Sequence, residues 1–355
     1  MSGARRVLVA GASGLVGEAA VESFAEAGWE VVALSRRPPA RSVRHLAVDL
    51  TDAAATAEAV ADLRPSHLVY GALHEKPGLI RGWREQDQMR TNLAMFRALL
   101  DPLAPGLEHV TLLQGTKAYG VHLHPIPVPA RERSPRDPHE NFYWLQEDHL
   151  RASAAAHGFA WTILRPQIVV GPTTGVAMNL PPVIGVYAAV RRELGLPFGY
   201  PGGAGIASEA VDVRLVGDAA LWAATAETAR DQHFNLTNGE AFNWRDLWPA
   251  LADELGMAPA PDEPVRLAEY LPAHADVWRR IAEREGLVEP SLDALLGESH
   301  FYADYCFAHG ATEARPPALV STVKVRQAGF GDCYDTEESF RHWMRVLRER
   351  KVLPA

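Results

Sequence analysis

Arg5-Arg6-Val7-Leu8-Val9-Ala10-Gly11-Ala12-Ser13-Gly14-Leu15-Val16-Gly17 is the stretch on which the reading of this chain turns. Residues 5–10 predict a short apolar strand, and three glycines follow it at once. Glu18 to Ala27 shows helical spacing that Gly28 stops, and Trp29 to Leu34 predicts a second strand. Strand, glycine loop, helix, strand is the opening unit of a dinucleotide-binding sheet. Gly11 suits the tight turn, Gly14 lets backbone approach a pyrophosphate, and Gly17 allows helix and strand to pack closely. The helix N-terminus offers unpaired N–H groups and partial positive charge to phosphate. The plain alternative is a glycine-rich turn with no ligand. Leu15 and Val16, between the glycines, belong to the same cofactor-binding set.

The end of the second strand selects the cofactor. An acidic residue there would accept from a ribose 2′-OH and favour NAD. Ser35-Arg36-Arg37 stands there instead, and two guanidiniums suit a 2′-phosphate, so NADPH is expected. Ser13 could add a hydroxyl to the same phosphate. The alternative is a solvated basic loop end.

Composition sets outer limits. The 355 residues suffice for one large core or two unequal lobes, and a hydrophobic content of 47% is that of a globular protein. No apolar run is long enough for a bilayer, and the N-terminus lacks the pattern of a signal peptide, so no membrane partner is expected. Two cysteines, Cys306 and Cys333, offer neither a disulfide framework nor a metal cluster, which suits a reduced, cytoplasmic setting. A formal charge of −9 argues against nucleic acid as a partner.

Further strands are expected at His45 to Val48, His67 to Ala72, His109 to Gln114, Ala160 to Pro166 and Gln232 to Leu236. Helices are expected at Asp52 to Leu63, 83–101, Asn179 to Leu196 and Thr336 to Lys351. Asp49-Leu50 after the third strand commonly lies along the adenine in such folds, although Asp49 also suits a helix cap. Gly71-Ala72 ends the fourth strand, at the sheet edge that passes under a cofactor. Lys117, just past the fifth strand, lies at a functional address for the same reason. Residues 121–140 read as a loop over the site. His122 and His124 alternate there without an evident third ligand, so no metal is expected.

The glycine spacing G-x-x-G-x-x-G resembles the extended short-chain dehydrogenase/reductase superfamily. That superfamily usually places a lysine four residues after its catalytic tyrosine. Here Glu147 stands four after Tyr143, so the usual dyad is broken, and Lys117 is the candidate replacement. Gly115-Thr116-Lys117 with Tyr119, Asn141-Phe142-Tyr143 with Glu147-Asp148, and Leu164-Arg165-Pro166 through Gly171 resemble one narrow family. It is the progesterone 5β-reductase/iridoid synthase-like reductases. Met178-Asn179, Val186-Tyr187-Ala188-Ala189, Phe234-Asn235 with Asn238-Gly239 and Trp244, and Val323-Lys324 with Gly329-Phe330 extend the likeness over almost the whole chain.

The resemblance implies a Rossmann-type, doubly wound parallel sheet over 1–171, completed by 211–237. It also implies a smaller, mainly helical substrate lobe from 172–210 and 238–330, and a C-terminal helix in 331–355. It implies Lys117 and Tyr143 as a relocated dyad, Pro166 and Ile168 beside the cofactor, and NADPH-dependent reduction of a C=C conjugated to a carbonyl. A carbonyl reductase acting on aldehydes or ketones, and a non-catalytic NADPH-sensing protein, are the other readings. The partner is then a small enone or carbonyl compound, and a homodimer is the oligomer common among such enzymes. The chain departs from the family at Trp144, where a second tyrosine is usual, and at Leu73, where plant members often carry tryptophan. Leu73, Trp144, Phe198 and Tyr200, with Tyr302 and Phe307 near them, are expected to line an apolar substrate pocket.

Overall fold

The computed structural model describes residues 5–76 and 82–355. Residues 1–4 of the expected first domain lie outside the described residues. The opening stretch folds as strand β1 (Arg6–Ala10), helix α1 (Leu15–Glu26) and strand β2 (Glu30–Ser35). The helix starts at Leu15, three residues before the expected Glu18. The glycine turn is shorter than its spacing suggests, because Gly14 is already the N-cap.

Strands β3 (Arg44–Ala47), β4 (His67–Tyr70), β5 (His109–Leu113) and β6 (Ala160–Pro166) follow. Helices α2 (Ala53–Val60), α3 (Gln86–Leu103) and α4 (Phe142–His157) join them. A short turn at Gly82–Arg84 precedes α3, so the expected helix at 83–101 is split, with Glu85 as an extended N-cap. Next come two-residue strand β7 (Val169–Val170), helix α5 (Leu180–Glu193), and short strands β8 (Ala207–Ser208) and β9 (Val211–Asp212). Helix α6 (Val213–Ala223) leads into β10 (Gln232–Leu236).

Among the described residues the central sheet has seven strands in the order β10-β6-β5-β4-β1-β2-β3, every neighbouring pair parallel. The fold is therefore a Rossmann-type doubly wound α/β sheet. Strand order reverses between β1 and β4, where such sheets open a crevice at their C-terminal edge.

Both sheet faces are covered, which explains why the strands read as continuous apolar runs. Val7, Val9 and Ala33 face α1 and α6, and pack with Phe24, Leu215 and Val216. Leu8, Ala10, Val32 and Leu34 face the other way, onto Phe96, Leu99 and Leu100 of α3 and Leu150 of α4.

The remaining chain forms β11 (Phe242–Asn243) and helices α7 (Trp244–Glu254), α8 (Leu267–Ala273), α9 (Ala275–Glu285), α10 (Leu292–Leu296), α11 (Ser299–Cys306), α12 (Val323–Gln327) and α13 (Thr336–Glu349). Most of these share a second core with α5. Phe340, Trp343, Met344 and Leu347 give α13 its apolar face, and that face packs into this core.

Candidate active site

One cavity of about 1100 Å³ runs along the C-terminal edge of the sheet, from the end of β2 to helix α11. Its floor begins at the glycine loop. Gly11 has φ +79°, and a Cβ there would lie 2.8 Å from the Ala72 nitrogen, so two backbone segments meet where no side chain fits. A Cβ on Gly17 would lie 2.0 Å from the Gly11 carbonyl oxygen, which forces the start of α1 against the turn. Gly14 has no capping side chain, so the first N–H groups of α1 stay available to an anion. The residues therefore fit a pyrophosphate. Gly17 itself does not line the cavity; it sets the approach of those that do.

Ser35, Arg36 and Arg37 line the end of the cavity beyond β2, and both arginines are exposed. The Ser35 hydroxyl donates to the Arg37 carbonyl at 2.6 Å, which folds the strand end into a turn. Asp49 and Leu50 lie on the same wall. Asp49 accepts from the Thr51 N–H at 3.0 Å and the Thr51 hydroxyl at 2.8 Å, and these bonds hold its carboxyl below the usual range. The cap of α2 is Asp52 instead, through the Ala55 N–H, so the alternative role of Asp49 as helix cap is not taken. Ser13, Leu15, Val16, Gly71, Ala72, Pro166 and Ile168 complete the lining expected of a cofactor site.

Lys117 and Tyr143 open onto the middle of this cavity. Lys117 lies on a short turn, Thr116–Tyr119, that follows β5. Its ammonium sits 3.8 Å from the centre of the Trp83 ring and 3.5 Å from the Met178 sulfur. Burial among these groups brings its pKa down to about 8, although the charge of Glu75 opposes the fall. Tyr143 begins α4, with its hydroxyl over Gly115, where a Cβ would lie 3.5 Å from the phenol oxygen. Burial, and then the charge of Glu75, push its phenol above the ordinary range, so Tyr143 stays a donor at neutral pH. Asn141 caps α4 and bridges the two segments. Its carboxamide donates to the Lys117 carbonyl and accepts from the Tyr143 N–H, both at 3.0 Å.

Glu147, where the superfamily's lysine usually stands, does not line the cavity. It is buried and bound by Arg136 at 2.9 Å, Arg151 at 3.0 Å, Arg165 at 3.5 Å and His233 at 3.0 Å. Burial acts to raise its pKa, but His233 and Arg136 overcome that and hold the carboxyl well below its usual range.

Four expected pocket residues lie elsewhere. Phe198 is fully buried and stacks on Trp248 at 4.8 Å, and Tyr200 is buried with its hydroxyl donated to the Phe307 carbonyl at 2.8 Å. These aromatics, Phe307 included, fill the helical lobe's core rather than the cavity. Trp144 turns away and lies under the Arg136 guanidinium at 4.9 Å, so the register of α4 points Tyr143 inward and Trp144 outward. Leu73 and Tyr302 do line the cavity. His122 and His124 diverge: His124 pairs with Asp137 at 2.9 Å, while His122 packs edge-on to Trp83.

Sequence reading passed over Glu75, Trp83, Cys306 and Glu209, all of which line the cavity. Glu75 was open to discovery, because it follows β4 at the same sheet edge as Gly71 and Ala72. Trp83 and Cys306 had no sequence signal, since only the tertiary fold brings them to Lys117. Glu209 accepts from the Val320 N–H at 2.7 Å, and burial raises its pKa to about 7.

Comparison with known proteins fits this geometry. The profile of the NAD dependent epimerase/dehydratase family matches residues 7–236, and the chain belongs to that family. The (S)-8-oxocitronellyl enol synthase of Antirrhinum majus is 29% identical, over 98% of this chain and 92% of that protein. The short chain dehydrogenase gsfE of Penicillium aethiopicum is 27% identical over 99% of both. Among solved structures, a UDP-glucose 4-epimerase of Thermotoga maritima shares the fold with a TM-score of 0.68 at 17% identity, covering 97% of this chain and 99% of that one. That of Thermus thermophilus, in complex with NAD, gives 0.65 at 22% identity over 97% of this chain and 99% of that one. The chain is thus an extended short-chain dehydrogenase/reductase, similar to the progesterone 5β-reductase/iridoid synthase-like members, and an oxidoreductase that uses a nicotinamide cofactor.

Proposed function

We propose that this member of the NAD dependent epimerase/dehydratase family reduces the C=C bond of an enal or enone with NADPH. The observation that carries the reading is the joint presence of the Lys117 ammonium and the Tyr143 phenol in the cavity, while Glu147 is sequestered in a buried ionic cluster. The preference for the phosphorylated cofactor rests on Arg36 and Arg37, exposed at the end of β2 with no carboxylate in their place. The enol synthase relatives support the substrate class.

When bound, the nicotinamide supplies a hydride to the β-carbon of the acceptor. Negative charge then collects on the conjugated carbonyl oxygen, and Tyr143 is the protein's hydrogen-bond donor for it. The raised phenol pKa keeps that proton on Tyr143 until the charge develops. Lys117 adds positive charge in the same cavity, and a pKa of about 8, still above 7, leaves it largely protonated at pH 7. Leu73 and Ile126 give the wall its apolar character, which suits a hydrocarbon skeleton and excludes water from the reacting atoms.

The test is NADPH consumption by the purified protein, offered cyclohexenone or cyclohexanone, with the product identified by mass. Turnover of cyclohexenone to the saturated ketone is expected. Production of an alcohol from either compound would overturn the reading in favour of a carbonyl reductase.

A further inference from the structure

Glu75 is a carboxylate held in the cavity with no assigned task. The chain on either side of it is clamped to α3. The His74 N–H donates to Asn92 at 2.9 Å, the Asn92 carboxamide donates to the His74 carbonyl at 2.8 Å, and the Lys76 N–H donates to Gln88 at 2.9 Å. Both Asn92 and Gln88 are fully buried, so the backbone at Glu75 has a built position. Its own carboxylate accepts from the Trp83 indole N–H at 2.7 Å.

The same indole carries Lys117 on its face, 3.8 Å from the ring centre. An aromatic ring has a positive edge and a negative face. Trp83 therefore meets an anion with its edge and a cation with its face, both in the favourable sense. The ring is 2% exposed and packs edge-on against Tyr143 at 5.3 Å, so it cannot swing without disturbing the phenol.

We propose that Glu75 is the fixed counter-charge of Lys117, a positioning residue that keeps the ammonium charged and seated over Trp83 beside Tyr143. The inference deepens the reductase reading and rests on it. Burial acts to lower the pKa of a lysine in this place and so disfavours its charged form. Cys306, which also faces Lys117, stays a neutral thiol, because burial lifts its pKa to about 12. His122 faces it from the loop after β5 and is neutral too, its pKa lowered to about 4 by burial first and by Lys117 next. Met178 is uncharged, and the phenols of Tyr143 and Tyr302 are both raised by burial. Arg165 acts on Tyr143 from β6. Burial raises the pKa of Glu75 and Glu298 adds to the rise, while Lys117 and the Trp83 N–H act to lower it and favour the carboxylate. Glu75 is thus the carboxylate that supports the charge on Lys117.

The chain has four lysines, Lys76, Lys117, Lys324 and Lys351, so ε-carbon-labelled lysine gives a spectrum simple enough to follow by pH. Lys117→Met assigns the signal. In the wild type the Lys117 signal should titrate near pH 8. Glu75→Gln should move that midpoint down by about one to three pH units, the usual effect of one nearby opposite charge. Glu75→Ala should move it the same way, and serves if the glutamine variant does not fold. Glu75→Asp keeps the charge and should stay closer to the wild type than either. An unchanged midpoint in Glu75→Gln, or an aspartate variant shifted as far as the glutamine one, would overturn the proposal. The readout needs no substrate, so it can fail while enone reduction stands, and it can hold while that reading falls.

Discussion

Asn141 donates its carboxamide N–H to the Lys117 carbonyl at 3.0 Å, so the helix that carries Tyr143 is fastened to the turn that carries Lys117. The same carboxamide accepts from the Tyr143 N–H. The lysine thus comes from a turn after β5, not from the next turn of α4, yet one side chain fixes its backbone against that of the tyrosine. A site with two groups from different segments needs such a tie if both are to meet one substrate oxygen.

Tyr143→Phe removes the donor and little else. Turnover on an enone should fall by about 10²–10³, the usual cost of one lost donor to a developing oxyanion. The dissociation constant for NADPH, read by fluorescence titration, should stay within about twofold. Turnover near that of the wild type would remove Tyr143 from the mechanism.

The pH profile should carry the signature of Lys117. Its pKa in the fold, about 8, lies below the ordinary lysine value of 10.5. The group is therefore charged below pH 8 and loses its charge as pH rises through that value. At saturating NADPH, kcat/KM for the acceptor should fall on the alkaline side with a midpoint near pH 8. In Lys117→Met that alkaline limb should be absent and the rate low throughout. A wild-type profile flat to pH 10 would contradict the role.

Arg36→Ala and Arg37→Ala should each weaken selection of NADPH over NADH. A hydrogen bond to a charged group contributes about 1.5–3 kcal/mol, so about a tenfold loss or more is expected where the contact is direct. The ratio of kcat/KM for the two cofactors is the measurement. An unchanged ratio in the double variant would place discrimination elsewhere.

Glu147→Lys restores the superfamily's usual spacing on paper and should fail in fact. It would set a cation among Arg136, Arg151 and Arg165, with Asp148 left to pair Arg136 alone. Breaking a buried ionic cluster in this way costs about 3–5 kcal/mol. Urea unfolding should show that loss, and the change should not rescue Lys117→Met. Rescue would mean that position 147 reaches the cavity.

The fold was legible because the first 40 residues carry local rules. Glycine spacing, a helix stop and two apolar runs need no tertiary knowledge. The glycine loop, Ser35 to Arg37, Asp49 and Lys117 were readable from their places at strand ends, since parallel sheets gather ligands on one edge, whereas Tyr143, in the first turn of α4, came from the family resemblance. The apolar pocket was not. Phe198 and Tyr200 look the same in sequence whether they line a cavity or fill a core, and here Trp248 and Phe307 close around them. Trp144 was misplaced by one residue of helical rotation. Trp83 and Cys306 reach Lys117 only through chain segments far apart in sequence, so no local pattern announces them.

The most direct measurement of the central claim is where the transferred hydride lands. NADPH deuterated at the reactive nicotinamide carbon should leave its label on the β-carbon of cyclohexanone made from cyclohexenone, read by NMR of the product. Deuterium on the carbonyl carbon of an allylic alcohol would contradict conjugate reduction and the role of Tyr143 as donor to an enolate.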